Sequence, residues 1–336
     1  MRKKMLLLAL LITVPLLSAC AFLPKADATP SVDPTGTEKL SAWAVYWDAD
    51  NAASEIAALG GKLESLLYFG AYFDEQNQLF VPGEIVKLKE QLGRTEVEGS
   101  LRPCYLTFIN DKLLPDGGSS LKDTELLYTL LETPDARQAH IQNILALTQG
   151  GGYDGVEIDY EAIRKDMLLW GHFIDFITEL SAAAQQHGLL LRVLLEPGIP
   201  YDSLRFPKGP DYVIMCYNLH GPGSAPGPKA DDAFLLELIK KTANLPGRRH
   251  FALATGGFDW ADKSVNTLSG GEAHALARRE KANQLRDPAS QAISFSYRQS
   301  DGVHEVWYAD SITLTHWMSL IRNAGDFGIS LWRLCE

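Results

Sequence analysis

Cysteine is scarce, four in 336 residues, and only Cys104, Cys216 and Cys335 lie beyond the amino-terminal stretch. Three is an odd number, and none of them sits in a CxxC or Cys/His spacing. A closed disulfide framework, a structural zinc and a redox motif are therefore unsupported. Buried thiols are the expectation, with one disulfide plus one free thiol left open outside the cytoplasm. Positive charge is also short: 31 Lys and Arg stand against 42 Asp and Glu, a formal −11. A nucleic-acid backbone would repel such a chain, which excludes that class of partner. HExxH, a clustered His pair, an Asp-rich calcium loop, a phosphate-cradling glycine loop and a GxSxG elbow are all absent, so no metal and no cofactor is expected. What remains, 46% hydrophobic, 22% charged and 10% aromatic, suits a globular chain with a full core.

The first residues read as an address rather than as fold. Arg2, Lys3 and Lys4 precede the apolar run from Met5 to Leu17, too short for a membrane span but suited to a signal-peptide core. Leu17-Ser18-Ala19-Cys20 resembles the bacterial lipobox, in which the cysteine is lipidated and becomes the new amino terminus. Cleavage before Cys20 would leave a net charge of −14 by removing three basic residues. An ordinary secretory signal cut near Ala19 or Ala21 is the alternative. Residues 20–39 have three prolines and no helical or strand period, as a flexible tether would. The expected location is extracytoplasmic, lipid-anchored to a bacterial membrane.

From residue 40 onward, short apolar runs alternate with longer segments of helical period. Strand-like runs fall at 41–47, 64–70, 101–108, 153–159, 189–195, 211–217, 250–254 and 328–332, and the clearest helical periods at 136–148 and 167–187. Eight strand-plus-helix units predict an α/β chain closed as a (β/α)8 TIM barrel covering 40–336, rather than an open doubly wound sheet. The stretch 261–310 holds its own strand-like pair, 292–297 and 303–308, with Ser300-Asp301-Gly302 as the turn. It reads as a small insertion after the seventh strand.

The chemistry concentrates in Asp154-Gly155-Val156-Glu157-Ile158-Asp159-Tyr160-Glu161. Strand alternation puts Glu157, Asp159 and Glu161 on one face and Val156, Ile158 and Tyr160 on the other. Three carboxylates in a barrel interior cannot all ionise, so at least one should hold a proton near neutral pH, as a general acid requires.

This octapeptide resembles the DGxDxDxE strand of glycoside hydrolase family 18 at every fixed position but one, where Glu157 replaces an Asp. Met215-Cys216-Tyr217-Asn218-Leu219-His220, with the Pro-Gly-Pro of 226–228, is similar to the family's Met-x-Tyr-Asp stretch as found in the spore-cortex and peptidoglycan N-acetylglucosaminidase group. Asn218 stands there for an Asp. Gly328 to Leu334, Asp259-Trp260 and Val306-Trp307-Tyr308 extend the resemblance along the whole body.

The resemblance implies a glycosidase that cleaves β-1,4 bonds after N-acetylglucosamine, the substrate's own 2-acetamido oxygen attacking the anomeric carbon. By position, Glu161 would be the acid and later the base, Asp159 would hold the acetamido N–H, and Glu157 would share a hydrogen bond or proton with Asp159 deeper in the barrel. Tyr217 would donate to the acetamido oxygen, Asn218 would contact substrate without the negative field of an Asp, and Trp332 would stack under a pyranose. Weaker candidates for the substrate cleft are His220, Glu196, Tyr46, Trp47 and Trp260. The plainer alternatives are a paired buried acid for Glu157, core packing for Tyr217, Trp332, Tyr46 and Trp47, a strand-end cap for Asn218, a structural or solvated loop residue for His220 and a loop brace for Glu196. The implied partner is an N-acetylglucosamine-containing glycan, peptidoglycan before chitin if the chain is anchored beside the wall. The rival function is a glycan-binding protein of the same fold with reduced or lost turnover, suggested by Glu157 and Asn218.

Overall fold

A computed structural model describes residues 39–93, 96–97, 100–262 and 264–334. The expected signal, tether and lipidated Cys20, and also Cys335, lie outside the described residues. Eight parallel strands close a barrel: β1 Leu40–Val45, β2 Leu63–Phe73, β3 Cys104–Leu113, β4 Gly155–Asp159, β5 Leu190–Leu195, β6 Asp211–Met215, β7 Arg249–Ala254 and β8 Gly328–Trp332. Each pairs with its sequence neighbour, and β8 pairs with β1, which completes the ring.

Alternation along the strands divides the apolar residues between two cores. Val156, Ile158 and Tyr160 point outward, where they share a cluster with Ile141 and Ile144 of the helix Pro134–Gly150 and with Phe173, Phe176 and Ile177 of the helix Met167–Gln186. Tyr160 also gives its hydroxyl a partner there, 2.7 Å from His140 Nε2. Trp43, Leu67, Phe69, Tyr105, Leu194, Val213, Met215 and Tyr217 fill the inside. The glycine that opens β4 is required by this filling, because a Cβ on Gly155 would lie 2.5 Å from the Tyr105 ring. Cys104 and Cys216 are buried free thiols.

An added five-stranded antiparallel sheet follows β7, its main strands being Gly256–Ala261, Ser264–Leu268, Ile293–Gln299 and Gly302–Ala309. The helix Gly270–Arg279 packs on one face through Ala273, Leu276 and Ala277 against Phe295, Val306 and Tyr308. The pair of strands expected within it forms, but the sheet opens at Gly256, five residues before the expected 261. Asp259 and Trp260 therefore belong to the added sheet and not to the barrel rim. The break falls at Gly256 because its φ of +60° suits glycine and a Cβ there would collide with the Leu268 carbonyl.

Candidate active site

The parallel register sets Thr107 of β3, Glu157 of β4 and Arg192 of β5 side by side across three strands. Glu157 is sealed in the barrel at 0% exposure. Its Oε1 accepts from Trp43 Nε1 at 2.6 Å and Thr107 Oγ1 at 2.8 Å, and its Oε2 from Arg192 Nε at 2.8 Å. Arg192 continues the network to the hydroxyls of Ser41 and Ser330. Burial pushes Glu157 above the ordinary glutamate value, and Arg192 and the hydroxyl and indole donors pull against it. The expected sharing between Glu157 and Asp159 is not what these oxygens do. The extra methylene of a glutamate carries the carboxylate into a laterally placed set of donors, and both of its oxygens are engaged there.

Asp159, one turn of the pleat higher, is 4% exposed, and its Oδ1 is buried with no hydrogen-bond partner. Burial raises it well above the usual carboxylate range; Glu161, Glu157 and Asp111 add to the rise while Lys122 opposes it. Of the three strand acids, Asp159 is thus a group that geometry favours in its protonated form. Tyr217, just past β6, lies within the inner cluster at 8% exposure. Burial, then the charges of Asp159 and Glu161, push its phenol well up, so it remains a donor.

Glu161 lies two residues beyond the end of β4, so strand alternation does not set its direction. The loop nevertheless holds it firmly. Asn110 of β3 clamps its backbone from both sides, accepting from its N–H at 3.0 Å and donating to its carbonyl at 3.1 Å. The following residue, Ala162, has a φ of +67° and donates its N–H to Glu196 Oε2 at 2.9 Å. Lys122 reaches the Glu161 side chain, its Nζ 2.5 Å from Oε1.

The remaining expected residues divide. Trp332 ends β8, packed edge-on against Trp43 at 5.8 Å and Phe69 at 4.8 Å between ring centroids, and is only partly buried. Trp47 is 49% exposed, edge-on to Phe69, with the Arg333 guanidinium over its ring. Trp332, Phe69 and Trp47 form a run of edge-on ring contacts, with Phe69 buried between the two indoles. Tyr46 does not end a strand; it starts the 3-10 turn Tyr46–Asp48 and is half-buried against Trp47. Asn218 is exposed with a φ of +63°, a left-handed conformation that asparagine tolerates better than most residues. His220 spends its Nδ1 on the Ala225 carbonyl at 3.0 Å, within its own loop. Glu196 braces the backbone beside Glu161, as described. Trp260 is 5% exposed and packs on Phe258 in the added sheet, its Nε1 buried without a partner; it is no open stacking platform.

Sequence reasoning missed Arg192, Asn110 and Lys122. A lone arginine in the apolar run Leu189 to Leu195 was a signal, since a charge on the inner face of a strand needs a partner. Asn110 lies in the part of β3 beyond the expected run 101–108, and Lys122 lies in a turn, where no periodicity marks them.

Against this geometry stand the known proteins. The sequence model described as Glycosyl hydrolases family 18 matches residues 112–336. YdhD of Bacillus subtilis (strain 168), which carries the name of a sporulation-specific glycosylase, is 28% identical over 242 residues, 66% of this chain and 56% of YdhD. The cortical fragment-lytic enzyme of Bacillus anthracis is 25% identical over 232 residues, 62% of this chain and 53% of that protein. The chain thus spans about half the length of the curated relatives it matches. Among solved structures, the spore cortex-lytic enzyme SleL of Bacillus cereus aligns with a TM-score of 0.72 at 21% identity, over 90% of this chain and 72% of that one. A chitinase from Chromobacterium violaceum ATCC 12472 aligns at 0.71 and 19%, over 89% and 94%. The structural likeness establishes the (β/α)8 fold, and the sequence match over most of the chain establishes the family: this chain belongs to family 18 of the glycosyl hydrolases.

Proposed function

We propose that this chain hydrolyses β-1,4 bonds following N-acetylglucosamine in a bacterial wall glycan, peptidoglycan being the favoured substrate, with the substrate's acetamido group as nucleophile. The observation that carries this reading is Asp159: a buried carboxyl whose Oδ1 lacks a partner, on the strand that delivers Glu161 and beside Tyr217. An unmet buried acceptor is costly, and an acetamido N–H satisfies it. In the first step the acetamido carbonyl oxygen bonds to C1, the C1–O4 bond breaks, and the departing O4 takes a proton from Glu161. Tyr217 donates to the acetamido oxygen and turns it toward C1. In the second step Glu161 takes a proton from water as that water's oxygen bonds to C1 and reopens the ring, so the product keeps its β configuration.

The exposed Trp47 and partly exposed Trp332 rings support sugar stacking. Asn218, neutral and exposed, supports a second reading, a glycan-binding protein with slow turnover, because an amide cannot stabilise the cationic intermediate as a carboxylate would. The lipobox-like Cys20 supports tethering at a membrane next to the wall.

Incubation of the protein with purified peptidoglycan and with chitin oligomers, with products read by mass spectrometry beside a Glu161→Gln variant, decides between them. New N-acetylglucosamine reducing ends from the wild type alone support hydrolysis. Binding by both proteins without new ends supports the second reading.

A further inference from the structure

Lys122 is built into the site with more care than a neutralising charge requires. Its backbone φ is +55°, a conformation that glycine or asparagine adopts at lower cost. Two hydrogen bonds hold it there: Lys122 N–H to Asp111 Oδ1 at 2.8 Å, and the next residue's N–H to the Asn110 carbonyl at 2.9 Å. A backbone held against its preference at a functional site directs attention to the side chain it presents. That side chain places Nζ 2.5 Å from Glu161 Oε1 and 3.9 Å from Asp111 Oδ1. Burial opposes its charge, but Asp159, Glu161 and Asp111 outweigh burial and keep it an ammonium. The pair is not sealed: Lys122 retains 31% and Glu161 23% of their side-chain surface, so a ligand can reach both.

An ammonium bonded to Glu161 competes for the carboxyl oxygens with the transferable proton and with the leaving oxygen. A substrate that offers Lys122 another acceptor removes the competition. In a β-1,4 glycan the oxygen to be protonated is O4 of the leaving sugar, and O3 is attached to the adjacent carbon. Chitin carries only a hydroxyl at O3. Muramic acid carries a 3-O-lactyl group there, ending in a carboxylate or, with a stem peptide attached, an amide carbonyl. Both are stronger acceptors for an ammonium than a hydroxyl.

We propose that Lys122 is a specificity residue for the leaving-side sugar: it exchanges Glu161 for the 3-O-lactyl oxygen of muramic acid, and so couples recognition of that sugar to release of the acid. This rests on the assignment of Glu161 above and adds which half of the wall disaccharide is read.

The test uses the full-length protein, Lys122→Met and Lys122→Arg, on glycan strands stripped of stem peptides and on chitin oligomers of similar length. Lys122→Met is expected to lose about 10- to 100-fold in kcat/KM on the lactyl-bearing strands, the size of one charge-assisted hydrogen bond, and to lose none on chitin oligomers, where turnover rises instead because the competing ammonium is gone. Lys122→Arg keeps most of the preference. Equal loss on both glycans overturns the proposal, since a lysine that only braces Glu161 treats them alike. Calorimetric binding in a Glu161→Gln background supplies a second readout. Affinity for the lactyl strands that falls selectively with Lys122→Met supports the exchange, and affinity that is the same with and without Lys122 overturns it. Absence of turnover by the wild type counts against the glycosidase reading, while the binding readout still decides this one.

Discussion

Glu157 and Glu161 stand four residues apart and each meets one cation, yet the two pairs are built for opposite ends. Glu157 and Arg192 are 0% and 2% exposed, and every Glu157 oxygen has a donor. Glu161 and Lys122 keep a quarter to a third of their side-chain surface open. A sealed pair repays its desolvation only through complete hydrogen bonding, and such completeness leaves no capacity for exchange. An open pair contributes little to stability and can trade partners. Acids at alternate positions of one strand therefore need not serve one purpose. The innermost ties neighbouring barrel strands together, and the outermost stays open to solvent.

The largest effect that sharpens this contrast is at the open end. Glu161→Gln should lower turnover on N-acetylglucosamine glycans by about a thousandfold, within the range for loss of a general acid, while leaving the thermal midpoint unchanged. Retained activity would break the contrast. At the sealed end, Arg192→Met should cost about 3–5 kcal/mol in denaturant unfolding, because it strands a buried carboxylate. Lys122→Met should cost less than about 1 kcal/mol in the same assay. Similar losses for both would show that the pairs do not differ as described.

Glu196→Gln tests the support of Glu161. The amide can still accept from Ala162 through its oxygen, so the variant should lose about tenfold or less in kcat with KM nearly constant. A smaller effect belongs to a third cluster, in the added sheet, where His304 Nδ1 lies 3.0 Å from Asp259 Oδ1 and Nε2 lies 3.1 Å from Asp301 Oδ1. Burial opposes its charge, but these two carboxylates prevail and raise His304 above the ordinary histidine value. A raised folded-state value means the contribution is complete below about pH 6.5, the unfolded value, and disappears as pH climbs through the folded one. The wild-type midpoint should therefore fall by about 1–2 °C from pH 6 to pH 9 relative to a His304→Gln variant. An identical pH dependence in the two would remove the cluster from the comparison.

The barrel was legible because buried parallel strands are short, apolar and separated by helical periods; all eight expected runs overlap a barrel strand. The start of the added sheet was not, since only Thr255 separates β7 from Gly256–Ala261 and the two read as one run. Alternation located the carboxylate face, with Val156, Ile158 and Tyr160 packed outside as expected. Alternation says nothing of what a side chain meets across the barrel. Glu157 therefore read as a partner of Asp159, when register with Thr107 and Arg192 decides its bonds. Lys122 lies 39 residues before Glu161 in a turn, and only the closed fold brings them together.

If Asp159 receives an acetamido group which itself attacks the sugar, a stable mimic of the cyclised intermediate must compete for the same place. The decisive measurement is inhibition by a thiazoline mimic of that intermediate. Competitive inhibition of the wild type, weakened at least tenfold in Asp159→Asn, is the predicted result. Full turnover of glycan in the presence of excess mimic, or equal inhibition of both proteins, would contradict it.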